Sequence, residues 1–332
     1  MRALIPLRAG EGRPVAVVGA VAMLYAAAVA VGDVVAQSIF IERAGADSLP
    51  RIFLLKAGID ALAAALYLPA TRGRSPASVL RFALLVYAVV VVGARALVAH
   101  DTGGAAAYAL YIAHECAWTV LTIHWGVYLL DVFDAGQARR LFPVLFGATR
   151  LGGALAGGIV AGAALAIGAD HLLHAAALLA VLAAAVSLLA APSAEPAPGA
   201  SLLGVAATEA AVDEEAARAA PRGLRGWRAA LDSPLVRAIA LSTAAMVLVR
   251  YALRLVAAGE MEEAFAGDQD LIATFLGRFD LVANIVSAVL GVLVLPRLLA
   301  RVGAGAINVA YAVATIIAQG LTLVAPSLAA AA

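Results

Sequence analysis

Residues 14–38, PVAVVGAVAMLYAAAVAVGDVVAQS, contain one charged side chain, that of Asp33. About 20 apolar residues cross a bilayer as an α-helix, and in lipid a helix satisfies its own backbone hydrogen bonds. This stretch therefore predicts a membrane-spanning helix. A short basic segment precedes it and no small-residue cleavage site follows. We therefore expect a retained first helix rather than a signal peptide.

Apolar blocks of this kind recur along the chain. Of the 332 residues, 64% are hydrophobic and only 14% are charged, against about 25% charged in soluble domains. The mean hydropathy is +0.97. Strand-like alternation of the barrel type is absent. The sequence predicts an all-α membrane protein of about nine transmembrane helices, near 14–38, 52–70, 79–99, 105–130, 143–168, 171–191, 235–257, 272–296 and 304–325.

The predicted spans form two groups separated by a polar segment. The expected domains are an N-terminal six-helix bundle over 1–191, a cytoplasmic linker over 192–233 and a partial three-helix bundle over 234–332. Prolines open the linker, and Trp227 within its basic part indicates a short interfacial helix. Ser233 and Pro234 are typical of the N-cap and first position of a helix.

Basic loop residues predict that the N-terminus lies inside, because cytoplasmic loops are enriched in Lys and Arg. With that orientation only Arg43 and Arg51 fall in outer loops. Fifteen arginines fall in inner segments: Arg2, Arg8, Arg13, Arg72, Arg74, Arg81, Arg139, Arg140, Arg218, Arg222, Arg225, Arg228, Arg237, Arg297 and Arg301.

Ten Lys, Arg, Asp and Glu residues are assigned to the membrane interior, where each costs at least roughly 2.5–3.5 kcal/mol on insertion scales. Six are basic and four are acidic, so two cations lack an acidic counterpart. An anionic solute could supply the balance. The basic residues are Lys56, Arg95, Arg150, Arg250, Arg254 and Arg278, and the acidic residues are Asp33, Asp60, Glu115 and Asp280.

One face of the fourth span carries polar and aromatic side chains. Tyr111, Glu115, Trp118, Thr122 and Trp125 follow one another at spacings of four and three, which places them on the same side of a helix. This face predicts either the wall of a solute cavity, with Glu115, Trp118 and Thr122 binding the solute, or a buried polar seam between helices.

Arg250 and Arg254 lie one turn apart on the seventh span. Two guanidinium groups on one face could bind a phosphate or carboxylate, or could anchor the outer end of the helix at the interface. Of the two, we expect Arg250 to be the cavity residue and Arg254 to be the interfacial anchor. Lys56 and Asp60, at positions i and i+4, are expected to neutralise each other.

On the eighth span Asp280, Asn284 and Ser287 share a face. This face predicts either an ion-coupling site or a polar seam. We predict the same two alternatives for Asp33, Asp60 and Lys56. The fifth span carries small residues four apart, which predict close helix packing. Its glycines are Gly152, Gly153, Gly157, Gly158 and Gly162.

Motifs of enzymes and of nucleic-acid binding are absent. His114-Glu115 begins an HExxH pattern, but Trp118 occupies the position of the second histidine. The sequence contains no phosphate-binding Walker loop and no GxSxG motif. The net charge of +1 gives no field to attract nucleic acid. We therefore expect no enzyme activity, no cofactor, no metal ion and no nucleic-acid partner.

Several stretches resemble the ATP:ADP antiporter branch of the major facilitator superfamily, the nucleotide exchange transporters. The similarity covers about residues 15–305 and is most specific over 131–158. The stretches are FIERAGADSLP at 40–50, Glu115 with Trp118, Asp131-Val-Phe-Asp134, Ala138-Arg139-Arg140-Leu-Phe142-Pro143, the glycine-rich fifth span, and 265–296 with Phe275-Leu-Gly-Arg278-Phe279.

The resemblance implies a major-facilitator-like bundle that works by alternating access, with the first and fourth helices of each half lining a cavity. It implies transport of a small anionic solute across a bacterial inner membrane, with ATP/ADP-type nucleotide exchange among the candidates. Glu115 matches an acidic residue of the family.

An alternative remains open. The superfamily has twelve helices. The first helix of the nucleotide exchange family usually carries basic residues in its outer half, and the stretch from Gly32 to Gln37 has none. Nine spans therefore predict either a fragment without the last three helices or a non-transporting anchor or scaffold module that binds a partner chain.

Overall fold

The computed structural model describes most of the chain outside the linker. The described residues are 7–8, 10–101, 104–190, 234–295, 297–298, 301–302, 313–314 and 317. The predicted linker helix near Trp227 lies outside them. Apart from residues 313–314 and 317, so does the ninth predicted span.

The described residues form helices joined by short turns, with no strand among them. Eight helices correspond in order to the first eight predicted spans, which confirms the all-α class for this part of the chain. They are α1 (Gly12–Ala44), α2 (Leu49–Thr71), α3 (Pro76–His100), α4 (Ala105–Val132), α5 (Ala135–Ile167), α6 (Leu172–Ser187), α7 (Pro234–Ala264) and α8 (Gln269–Val289). A 3₁₀ turn (Ala46–Ser48) precedes α2, and a π-helical turn (Leu290–Val294) follows α8.

Five helical stretches are long and apolar enough to cross a membrane, which indicates a membrane-embedded protein. They are Gly12–Ala44, Ala46–Thr71, Pro76–His100, Arg140–Ile167 and Gln269–Val294. Helix α6 is apolar but shorter, at 16 residues. Helices α4 and α7, which carry Glu115, Arg250 and Arg254, are not among the five. The count of nine spans therefore remains a prediction.

Side-chain caps set several helix boundaries. Ser75 accepts a hydrogen bond from the Ser78 amide at the start of α3. Asp134 and Gln137 form a capping box at the start of α5, so this helix begins before the apolar block predicted at 143–168. Helix α7 is described from Pro234 onward, and the predicted N-cap residue Ser233 lies outside the described residues.

Helix α1 lies at the centre of the bundle and packs against α4, α5 and α6. Helix α4 in turn packs against α2 and α3, and α3 packs against α6. The contacts of α1 with α5 and α6 are thus matched by those of α4 with α2 and α3. The contacts between the first three helices and the next three are therefore partly symmetric.

Glycines on α5 allow close approach of its neighbours. A β-carbon built on Gly157 would lie 2.4 Å from the Leu281 nitrogen and 2.5 Å from the Gly277 carbonyl oxygen of α8. One on Gly152 would lie 2.2 Å from the Met23 carbonyl oxygen of α1. Close packing is confirmed at these two glycines and at Gly153. It is not found at Gly162, where a β-carbon would have no atom of another described element within 4 Å.

Candidate functional site

A cavity of about 610 Å³ lies between α1, α4, α5, α7 and α8. Its wall includes four charged side chains, two acidic and two basic: Asp33, Asp280, Arg150 and Arg250. Asn284 on α8 completes the polar lining near Arg150. Arg250, Asp33, Asp280 and Asn284, predicted as site residues on three different spans, therefore meet at one place.

The α4 side of the cavity is aromatic. Trp118, Thr122 and Trp125 line it, so three of the five residues on the predicted face form a cavity wall. Tyr25 of α1 stacks on Trp125 with ring centroids 5.5 Å apart, and its hydroxyl oxygen lies 3.4 Å from the Thr122 hydroxyl oxygen. This packing holds the wall in place and leaves flat ring surfaces beside the cavity.

Glu115, predicted to bind solute, lies behind this wall in a buried ion-pair network. Arg254 donates from Nη1 to Glu115 Oε1 at 2.9 Å. From Nη2 it donates to Asp33 Oδ1 at 2.8 Å and to Gln37 Oε1 at 3.0 Å. The prediction that Arg254 anchors an exposed helix end is therefore wrong, since its side chain is only 12% exposed. It joins α7 to α1 and α4 instead.

Lys56 extends the network to α2. Its ammonium group donates to Asp60, which confirms the predicted i, i+4 pair, and it lies 3.5 Å from Glu115 Oε2. Glu115 is thus held between Lys56 and Arg254, with one carboxylate oxygen toward each. The Tyr111 ring lies beside Arg254, with the guanidinium carbon 5.4 Å from the ring centroid. The ion pairs of this network therefore join four helices, α1, α2, α4 and α7.

Arg150 and Arg250 differ from these cations. In the described part of the chain neither has a carboxylate within 4 Å. The guanidinium carbon of Arg250 lies 5.9 Å from the centroid of Trp118. That of Arg150 lies 4.7 Å from the Phe146 centroid, while its Nη1 is 3.4 Å from Asn284 Oδ1. Two cations without acidic partners therefore face the cavity.

Sequence reasoning missed Arg150 as a site residue because it lies in the glycine-rich helix that was interpreted as packing alone. A signal was present. Arg150 lies three residues before Gly153 and seven before Gly157, so it shares the face that these glycines turn toward α8. A basic side chain on the closely packed face of a predicted span is expected to face the interior of the helix bundle rather than the lipid.

The predicted excess of two cations is not found at the site. Arg95 lies 3.3 Å from Asp170 at the end of α5, and its Nη2 is 2.9 Å from His171 Nδ1. Arg278 is exposed and does not line the cavity. Four basic and four acidic side chains remain. They are Lys56, Arg150, Arg250 and Arg254, and Asp33, Asp60, Glu115 and Asp280.

A further ion pair lies away from the cavity, at the start of α1. Arg140 donates to both carboxylate oxygens of Glu11, at 2.6 and 3.2 Å. These bonds, with a bond from the Arg8 amide, lower the pKa of Glu11 to about 2. Glu11 therefore stays ionised throughout the physiological pH range and ties the start of α1 to the start of α5.

A second and larger cavity, of about 870 Å³, lies between α2, α3 and α4. Its wall is mainly apolar, with Arg74, Ser75 and Ser78 at one end, and it contains none of the predicted site residues. Among the described residues, no group of three or more His, Cys, Asp or Glu side chains is placed to hold a metal ion.

No family model, curated protein or solved structure matches the chain. The resemblance to the major facilitator superfamily rests on the stretches quoted above.

Proposed function

We propose that this protein is a secondary transporter of a small anionic solute, with a major-facilitator-like bundle of six plus three spans in a bacterial inner membrane. Nucleotides of the ATP and ADP type are among the candidate solutes. One observation carries the proposal: Arg150 and Arg250 face the central cavity without a carboxylate partner among the described residues, whereas Lys56 and Arg254 are paired.

An unpaired charge within a membrane protein is costly, and an anion in the cavity would relieve that cost at both arginines. Guanidinium groups suit this role because their planar donor sets match carboxylate and phosphate oxygens. The neighbouring Trp118 and Trp125 offer ring faces, and Thr122 offers a hydroxyl group, to the remainder of a solute.

Glu115 and Arg254 take a different role in this proposal from the one expected. They close one end of the cavity together with Asp33. The turns at 45–48, 168–171 and 265–268 lie beyond this closure, at the end that the predicted orientation places outside. Alternating access would require the Arg254 contacts to break as this end opens and to re-form as it closes.

Thermal stability tests the proposal. The purified protein in detergent would be heated with phosphate, succinate, ADP or ATP, because a ligand at 100 times its dissociation constant stabilises by about 2.7 kcal/mol. At least one of these anions should raise the melting temperature. Arg150→Ala and Arg250→Ala should abolish the rise, whereas Arg278→Ala, which removes an exposed arginine outside the cavity, should retain it.

Transport in proteoliposomes completes the test. The stabilising anion should enter vesicles that contain the wild-type protein or the Arg278→Ala variant, and it should fail to enter with either cavity variant. Stabilisation without transport would favour a non-transporting membrane module. Stabilisation that survives both Arg150→Ala and Arg250→Ala would refute the site.

A further inference from the structure

Asp280 is the exception among the carboxylates near the cavity. Asp33 and Glu115 accept hydrogen bonds from Arg254, and Asp60 accepts one from Lys56. The Asp280 carboxylate lines the cavity but has no hydrogen bond, and no cation within 4 Å, from the residues that the structure describes. Its backbone carbonyl accepts from Asn284 Nδ2 at 2.8 Å, so the helix around it is regular.

Charged groups face Asp280 from three other helices. Helix α1 contributes Asp33, α5 contributes Arg150, and α7 contributes Arg250 at the cavity wall with Arg254 behind it. The α4 wall contributes no charged group to the cavity itself. Arg254 is already shared between Asp33 and Glu115, and Arg150 and Arg250 are the two cavity cations without a carboxylate within 4 Å among the described residues.

This arrangement makes the charge of Asp280 depend on whether the cavity is occupied. In the empty cavity burial disfavours an ionised carboxylate and the guanidinium groups favour one, so the two effects oppose each other. A bound anion neutralises the guanidinium groups and adds its own repulsion, and burial then favours the protonated carboxyl group. Solute and proton therefore assist each other's binding, and by linkage the effect is equal in both directions.

We propose that Asp280 is a proton-binding site and that the protein carries one proton together with each solute anion. This inference rests on the proposed transport function. For a solute of one negative charge, the empty cavity holds Arg150, Arg250 and ionised Asp280. The loaded cavity holds the same two cations, the anion and a neutral Asp280. The net charge of the cavity is the same in both states. The conformational change therefore moves the same charge whether the cavity is empty or loaded.

Uptake and exchange in proteoliposomes separate the two proposals. The probe is whichever of phosphate, succinate, ADP or ATP stabilises the protein, and valinomycin with potassium removes the membrane potential. Acidifying the outside by one pH unit should drive up to about tenfold accumulation at one proton per anion. Exchange of labelled for unlabelled anion at equal pH needs no net proton movement.

Asp280→Asn should retain exchange and lose the accumulation driven by the pH gradient, and Asp280→Glu should restore it. Glu263→Gln, which neutralises an exposed carboxylate at the far end of α7, should accumulate the anion like the wild type. Gradient-driven accumulation by Asp280→Asn would overturn the inference. Wild-type exchange without a response to the gradient would overturn it too and leave the transport proposal standing, whereas no exchange at all would remove both.

A direct measurement covers the case in which Asp280→Asn does not fold. Adding the anion to wild-type protein in weakly buffered solution should raise the pH by about one proton per bound anion, read with a pH-indicator dye. No proton uptake at saturating anion would overturn the inference.

Discussion

Arg254 makes three hydrogen bonds to side chains of two other helices, and two of its acceptors are carboxylates. No other described cation near the cavity makes as many hydrogen bonds to side chains. A guanidinium group suits this position because its donors are fixed in one plane and can serve several acceptors at once. Removing it would leave the His114 ring, with Nε2 3.9 Å from Asp33 Oδ1, as the remaining basic group within 4 Å of Asp33 among the described residues.

Arg254→Gln should therefore destabilise the protein strongly. Removing one partner of a buried ion pair costs about 3–5 kcal/mol, since the remaining charge stays buried and uncompensated. The measurement is the unfolding free energy, or the melting temperature, of the purified protein in detergent. Arg278→Gln is the matched control, because that arginine is exposed, and it should change stability little. Equal melting temperatures for the two variants would contradict the network.

The sequence could place the Arg254 charge within a span but could not predict its partners. Periodicity along one helix identifies the residues that share a face, as it did for Trp118, Thr122 and Trp125. It also identified the pair of Lys56 and Asp60, whose members lie on one helix. Pairs between helices depend on which helices adjoin, and a single sequence does not carry that information.

Helices α5 and α8 meet along glycines, so their backbones lie close together beside the cavity. Gly157 contacts the α8 backbone at Leu281 and Gly277, and Gly153 faces the Asn284 side chain. This seam positions Arg150 of α5 against Asn284 of α8. The geometry of the cavity therefore depends on the spacing of these two helices.

Gly157→Ala should push α5 and α8 apart. The added β-carbon would lie 2.4 Å from a backbone nitrogen and 2.5 Å from a carbonyl oxygen, and backbone atoms cannot move away as a flexible side chain can. The melting temperature should fall, and the rise on adding the anion should weaken. Gly162→Ala on the same helix meets nothing within 4 Å. It should be neutral, or stabilising by up to about 1 kcal/mol, because alanine favours helix over glycine.

If Gly157→Ala were as stable as the wild type, the close contact of α5 and α8 would be refuted. Sequence reasoning predicted this seam from the residue sizes, because small residues four apart serve little purpose other than close packing. It could not distinguish Gly157 from Gly162, since both repeat at the same spacing and only the partner helix separates them.

The whole molecule is tied together at the end that the predicted orientation places outside. The Ala46 amide donates to Glu262 Oε2 at 2.6 Å, which joins the turn before α2 to α7. The Ala169 amide donates to Asp270 Oδ1 at 2.7 Å, which joins the turn after α5 to α8. Toward its other end α7 has exposed apolar residues, among them Leu241 and Leu248. Side chains of α7 and α8 thus hold turns of the N-terminal helices at the predicted outer end.

Glu262→Ala should loosen this end without disturbing the helices. A hydrogen bond to a charged group contributes about 1.5–3 kcal/mol, so amide exchange over 45–48 should speed up by roughly tenfold or more. Hydrogen–deuterium exchange with mass spectrometry measures this directly. Glu263→Ala, which removes the exposed neighbouring carboxylate, should leave the exchange rate unchanged. Unchanged protection in Glu262→Ala would show that the bond does not hold the turn.

At this scale the sequence predicted the class of the molecule better than its assembly. Apolar blocks follow from lipid solvation and can be located on the chain alone. The contacts that join the helices at one end cannot be located in this way. One of them is the bond from the Ala46 amide to the Glu262 carboxylate, whose residues lie more than 200 positions apart and are related by no local pattern. Sequence reasoning also predicted an excess of two cations at the site. It could not show that Arg95 pairs with Asp170 away from the cavity, because the two residues lie on different elements.

The sharing of Arg254 between Asp33 and Glu115 has a consequence for how this protein can evolve. A lineage that loses the arginine first carries unpaired acids in the membrane, and one that loses an acid first alters the charge balance around a buried cation. Either intermediate carries an uncompensated charge inside the membrane and should be less stable than the ancestor. Substitutions at these three positions should therefore be inherited together across descendants, even where the helices around them diverge freely.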